Sequence, residues 1–224
     1  MKMNGAQAVL ESLRKEGVRV VFGYPGGAVL DLYDAIYTEK FPHILVRHEQ
    51  GAAHAADGFA RASGKVGVVI ATSGPGATNL VTGIANAYLD SVPLVAITGN
   101  VATEALGRDS FQEVDIVSIT QPVVKHNFMV KEVSELEQTI KEAFLIANSG
   151  RKGPVLIDIP KDVQVNECEY GVAELPRMPE KAELPYDEES VVQLLNAAKK
   201  PFIYAGGGII SSGGEEYLRE LAEK

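Results

Sequence analysis

The stretch Val66-Gly67-Val68-Val69-Ile70-Ala71-Thr72-Ser73-Gly74-Pro75-Gly76-Ala77-Thr78-Asn79 sets an apolar, β-branched run against a Gly-Pro-Gly turn and the start of a helical run. Residues 66–71 lack polar alternation, so they read as a strand buried on both faces. Residues 76–89 read as the helix that follows. The same alternation extends outward in both directions. Strands are expected at 18–22, 44–46, 94–98 and 155–159, and helices at 4–15, around 30–36, at 49–62 and at 133–147. This is the pattern of an α/β fold: a parallel sheet with helices on both faces. Ligands in such sheets bind beyond the carboxyl ends of the strands. The turn at 24–27, the start of the 49–62 helix, the turn at 72–76 and the loop after Gly99 all fall there.

The bulk properties narrow the function classes. The chain has 224 residues, 46% hydrophobic and 23% charged, and a net charge of -9 without a basic tract. That balance argues against nucleic acid or an anionic membrane as the main partner. A single cysteine, Cys168, cannot form an internal disulfide and fits a reducing, cytoplasmic setting. No apolar run approaches the ~20 residues of a membrane span, and the N-terminus has no signal-peptide apolar core.

Composition changes near residue 164. The following segment carries Pro176, Pro179 and Pro185 among many charges and reads as an extended linker. A new unit is expected beyond it, with a helix near 188–198, a strand at 201–205, Gly206-Gly207-Gly208 and a helix from about Gly214. Lys224 falls inside that last helix, and one strand cannot make a sheet. The chain is therefore expected to be the N-terminal part of a longer protein.

One carboxylate stands out. Glu49 lies in Arg47-His48-Glu49-Gln50-Gly51-Ala52-Ala53-His54-Ala55-Ala56-Asp57-Gly58, where a strand meets a helix of small residues. Small neighbours let another surface approach, and an acid in a dry pocket can exchange protons with a bound heterocycle. The bland alternative is a surface glutamate stabilising a helix N-terminus. The Gly-rich turn at 72–76 could receive an anion or simply allow tight packing. It lacks the lysine and hydroxyl of a P-loop and the spacing of a dinucleotide fingerprint. His48, His54 and His126 have no metal spacing and read as hydrogen-bonded structural histidines.

Seven motifs occur in order: Tyr24-Pro25-Gly26-Gly27, Arg47-His48-Glu49-Gln50-Gly51, Ser73-Gly74-Pro75-Gly76-Ala77-Thr78-Asn79, Asp90-Ser91-Val92-Pro93, Phe111-Gln112-Glu113, Lys125-His126-Asn127, and the run from Gly153-Pro154 to Lys161-Asp162. Together they resemble the large catalytic subunit of acetolactate (acetohydroxyacid) synthase, a thiamine-diphosphate enzyme, over essentially the whole chain. The resemblance implies a pyrimidine-binding domain at 1–165, a linker at 166–186 and the start of a central Rossmann-like domain at 187–224. It implies decarboxylating condensation of two 2-keto acids, pyruvate with pyruvate or 2-ketobutyrate, in branched-chain amino-acid biosynthesis. Glu49 would hydrogen-bond a ring nitrogen of the cofactor's aminopyrimidine, promoting loss of the thiazolium proton. Pro25, Gly26, Gly27 and Gln112 would also contact thiamine diphosphate. Ser91, Arg151 and Gly207 would contact FAD in members that bind it, and Phe111, Lys125 and Lys161 would line the substrate channel.

The resemblance also implies a homodimer or tetramer, with the small residues of the Glu49 helix against a partner subunit, and a small regulatory subunit in some members. No segment matches the one that holds Mg2+ and the diphosphate, so no metal ligand is expected in this chain and the chain alone is expected to be inactive. Ala102 stands where some members have proline, which leaves inhibitor sensitivity open. A 2-keto-acid decarboxylase or pyruvate oxidase is the alternative within the cofactor class. A non-catalytic nucleotide-binding or regulatory module is the alternative outside it.

Overall fold

A computed structural model describes residues 1–172 and 187–224, which belong to two separate units, one on each side of that gap in numbering. The first unit holds a six-stranded parallel sheet. Its strands are β2 (Val21–Tyr24), β3 (His43–Leu45), β4 (Gly67–Ala71), β5 (Leu94–Asn100), β6 (His126–Met129) and β7 (Pro154–Pro160), in the order β3-β2-β4-β5-β7-β6. A short antiparallel pair, β1 (Lys2–Asn4) and β8 (Glu167–Glu169), closes the two ends of the unit together, with Met3 opposite Cys168. Residues 167–169, expected within the linker, are therefore strand. The rest of that segment, 173–186, lies outside the described residues.

The side-chain period of two sends alternate strand residues to two separate cores. Val68, Ile70, Val95, Ile97, Val155 and Ile157 face one side, against α1 (Gly5–Lys15), α2 (Leu30–Thr38) and α7 (Leu136–Asn148). Val69, Ala71, Leu94, Ala96 and Leu156 face the other, against α3 (Glu49–Ser63), α4 (Pro75–Asn79) and α5 (Val81–Leu89). Both faces of the central strands are covered, which is why they carry no polar alternation. The expected helix at 76–89 is interrupted at Leu80. The expected helix at 133–147 begins with a 3-10 turn at Val133–Glu135. Two short helices, α6 (Ile116–Thr120) and α8 (Lys161–Val165), complete the unit.

Helix α3 lies unusually close to its neighbours. A Cβ on Gly83 of α5 would overlap Ala53, and one on Gly67 of β4 would overlap the Ala56 backbone. Ala52, Ala53, Ala56 and Ala60 are thus spent inside the chain, against β4 and α5. The exposed side of α3 holds Gly51, His54 and Gly58.

The second unit contains α9 (Glu188–Ala197), capped by Asp187, then α10 (Gly207–Ser212) and α11 (Glu215–Glu223). Residues 201–205, expected as a strand, pair with no strand among the described residues. Gly207 opens α10 rather than lying in a turn. No residue of these three helices is buried: Val192, Leu194 and Tyr217 are exposed, as is Phe202 before α10.

Candidate functional site

Strand β2 pairs with β3 on one side and β4 on the other, so the chain reverses direction of travel across the sheet between β2 and β4. Such a switch point leaves a crevice at the carboxyl ends. The segments delivered there are Pro25–Ala28, His48-Glu49 and Thr72–Gly76.

Glu49 is the first residue of α3, but the capping work is done by His48, whose Nδ1 accepts the Gln50 N–H at 3.1 Å. The Glu49 carboxyl is left for other partners and is 8% exposed. Asn79 Nδ2 donates to Oε2 at 2.9 Å. Oε1 accepts no hydrogen bond among the described residues. It lies beside Gly76, where a Cβ would stand 3.3 Å from Oε1 and 2.7 Å from Thr72 Cγ2. The absent side chain keeps that flank of the carboxylate open. Tyr33 senses the same charge: burial, and after it the Glu49 carboxylate, raises its phenol above the usual range. Its hydroxyl meets His43 Nε2 at 3.2 Å.

The Pro25-Gly26-Gly27 turn is held from two sides. The Ala28 N–H donates to Thr72 Oγ1 at 3.1 Å, and Gln164 Nε2 donates to the Ala28 carbonyl at 2.8 Å. A Cβ on Gly26 would overlap Thr72, whereas Gly27 and Pro25 face outward. Gln112 joins from the loop after β5. It has a left-handed backbone, φ 56°, and its carbonyl packs on Gly74, where a Cβ would lie 2.5 Å away. Gly74 itself, at φ 57° and ψ -119°, occupies a region open only to glycine. Phe111, next to Gln112, is 86% exposed and does not pack in this chain's core.

The channel residues do not come together within the chain. Lys161 is exposed at the start of α8, beyond the carboxyl end of β7. Lys125 precedes β6 at the opposite, amino end of the sheet. Its Nζ donates to the Ser149 carbonyl at 2.7 Å and to the Ile146 carbonyl, near the C-terminus of α7. Burial lowers its pKa. Ser91 and Arg151 also lie at the amino end, and these two do meet. Arg151 Nε donates to Ser91 Oγ at 2.7 Å and Nη2 to the Leu89 carbonyl at 3.1 Å, capping α5. Gly207 belongs to the second unit. Of the histidines, His48 is a cap and His126 stacks edge-on against Phe128, while His54 is exposed with no hydrogen bond among the described residues.

Thr72 and Asn79 carry no role in the sequence alone; contact with Ala28 gives one to Thr72 and contact with Glu49 gives one to Asn79. Gln164 carried no local signal at all. Among the described residues no group of three or more His, Cys, Asp or Glu side chains could hold a metal, and no helix is long and apolar enough to cross a membrane.

Comparison with known proteins bears on this geometry. A family model described as thiamine pyrophosphate enzyme, N-terminal TPP binding domain, matches residues 3–119. The acetolactate synthase of Arthrospira platensis is 53% identical over 233 residues, covering 100% of this chain and 40% of the relative. A probable acetolactate synthase large subunit of Methanocaldococcus jannaschii is 53% identical, covering 99% and 39%. The acetolactate synthase isozyme 3 large subunit of Escherichia coli is 51% identical, covering 99% and 40%. The chain thus spans about 40% of the length of these relatives. The matched segment contains Glu49, Gly76, Asn79 and Gln112 together, and the chain belongs to the thiamine pyrophosphate enzymes through their N-terminal TPP-binding domain.

Proposed function

We propose that the chain is the pyrimidine-binding part of an acetolactate synthase, an enzyme that condenses two 2-keto acids with loss of CO2. The carrying observation is the Glu49 carboxylate, buried, held through one oxygen by Asn79 and open at the other beside Gly76. A ring nitrogen of an aminopyrimidine fits that unspent oxygen with one proton between them, and the glycine-lined approach leaves room for a flat heterocycle. Bound thiamine diphosphate would supply a thiazolium carbon that attacks the keto group and a ring that takes up the electrons released on decarboxylation.

Glu49 would hold or return a proton at the ring nitrogen, with Asn79 fixing the carboxylate's orientation. Pro25 and Gly27, on a turn pinned by Thr72 and Gln164, would present backbone to the cofactor. Gln112 would close over the same crevice, and exposed Phe111 would face the keto acid. Lys161 is placed at that end of the sheet; Lys125, at the other end, would reach a substrate channel only across an interface between subunits. The metal and diphosphate would be held by a domain outside this chain. The same reading takes the assembly as a homodimer or tetramer, with the two parts of the site supplied by different subunits.

Pyruvate as substrate rests on the names of the relatives, as does a small regulatory subunit, since several are named large subunits. The use of 2-ketobutyrate and a cytoplasmic location belong to the same reading. For FAD, Arg151 offers Nη1, which has no hydrogen-bond partner among the described residues, beside Ser91; the FAD contact of Gly207 rests on the resemblance alone. The test is acetolactate formation from pyruvate by the holoenzyme and its Glu49→Gln variant. The reading expects a loss of about 100-fold or more, the scale of a lost acid–base group, with folding unchanged. Wild-type activity in the variant would refute it.

A further inference from the structure

Asp158 is a carboxyl in the middle of β7 with no exposed surface. Burying it is costly unless its oxygens are satisfied. Both are: Thr98 Oγ1 donates to Oδ1 at 2.7 Å and Asn100 Nδ2 to Oδ2 at 2.6 Å. The pairing of β5 with β7 does not need them. The two strands already run in register from Leu94 opposite Pro154 to Asn100 opposite Pro160. An apolar residue at 158 would serve a purely structural sheet at lower cost.

The group on which Asp158 acts has a further attachment. Asn100 is the last residue of β5, and its Oδ1 accepts the Val101 N–H at 2.8 Å. An Asn100 side chain without its acceptor would be free to turn, and Val101 would lose its bond. The next tie is also a carboxylate, from the first turn of α8 just beyond β7, since Asp162 accepts the Thr103 N–H at 3.0 Å and the Thr103 hydroxyl. Farther along, Glu113 accepts the Gly107 and Ser110 N–H groups, and the Gln112 carbonyl settles on Gly74. From Asn100 to Gly74 the loop follows a continuous series of ties, and Asp158 anchors its first one.

We propose that Asp158 is a positioning residue that acts through Asn100 to set the course of the 101–115 loop and the seating of Gln112 on Gly74. Its importance for catalysis rests on the reading of the Glu49 site given above. The role is carried by the polarity of the pair, acceptor at 158 and donor at 100, so exchanging the two residues should preserve it. In Asp158→Asn with Asn100→Asp, the new amide at 158 donates to the new carboxylate at 100. The second oxygen of that carboxylate still accepts from Val101, and Thr98 still finds a carbonyl oxygen.

Hydrogen exchange in the 224-residue chain tests this. Asp158→Leu, which leaves Asn100 Nδ2 without an acceptor, should speed exchange at Val101 and Thr103 by about tenfold, the scale of one lost hydrogen bond. Exchange at Ile97 and Ile157 in the sheet should stay as in the wild type, and the double exchange should restore the loop. Unchanged loop exchange, equal acceleration of loop and sheet, or failure of the double exchange to restore protection would each overturn the proposal. Where Asp158→Leu does not fold, the double exchange decides: a folded protein with a protected loop supports it, and an unfolded or unprotected one overturns it. Thiamine diphosphate affinity of the wild-type holoenzyme is measured alongside. Absent binding there would defeat the reading of the Glu49 site while leaving the loop result standing.

Discussion

The two ends of the sheet use charged side chains in opposite ways. At the amino end, Lys125 and Arg151 direct donors at the carbonyls that close α7 and α5, so those donors serve the fold. At the carboxyl end, Glu49 is buried and keeps an oxygen unspent, and Asp158 holds a loop rather than a helix end. A cap stabilises what it touches. An unspent buried acid costs stability and is retained where chemistry needs it. The contrast separates charged residues, matched by the same family resemblance, by what each one holds: helix carbonyls at the amino end, an open flank or a loop at the carboxyl end.

Perturbing the carboxyl end should give the largest effects. Burial raises the Asp158 pKa to about 7, well above the ordinary aspartate value. A raised acid pKa favours the folded state most when the group is protonated, so this contribution is lost as pH rises from about 4 to about 7. Relative to Asp158→Asn, the wild type should lose up to several kcal/mol across that window, read as a falling denaturant midpoint. A pH-independent difference would remove the desolvated acid from the account.

Gly74→Ala comes next, because the position combines a glycine-only backbone with the Gln112 carbonyl in contact. It should cost about 3 kcal/mol in urea unfolding, and a neutral result would show that the turn relaxes freely. At the amino end, Lys125→Met should cost about 1–2 kcal/mol by the same measurement, by leaving the α7 carbonyls with fewer donors. Smallest of all, Arg151→Ala should cost less than about 1 kcal/mol, since the residue is exposed. If either amino-end substitution exceeded Gly74→Ala, the division between the two ends would fail.

Much of this was legible in the sequence because the central strands are apolar on both faces and each is followed by a turn and a helical run. Glu49 was legible for a related reason, as an acid among small residues at a strand-to-helix junction. What escaped was set by long-range pairing. Strand β6, with His126 and Asn127, lies at the sheet edge and has no continuous apolar run, and β1 finds β8 across more than 160 residues. The linker reading failed at 167–169 because pairing with β1 leaves no local pattern. Gln164, Thr72 and Asp158 act through hydrogen bonds to distant segments, which spacing along the chain cannot show. The alanines of α3 illustrate the converse: their smallness was plain, but most of it serves packing within the chain.

In the proposed site Glu49 presents an open, oriented carboxylate to the cofactor's pyrimidine. Proton exchange at the thiazolium carbon, followed by NMR in the holoenzyme and in Glu49→Gln, tests it most directly. Exchange should be slowed by about 100-fold or more in the variant while bound cofactor and fold are retained. Exchange at the wild-type rate, with the cofactor bound, would contradict it.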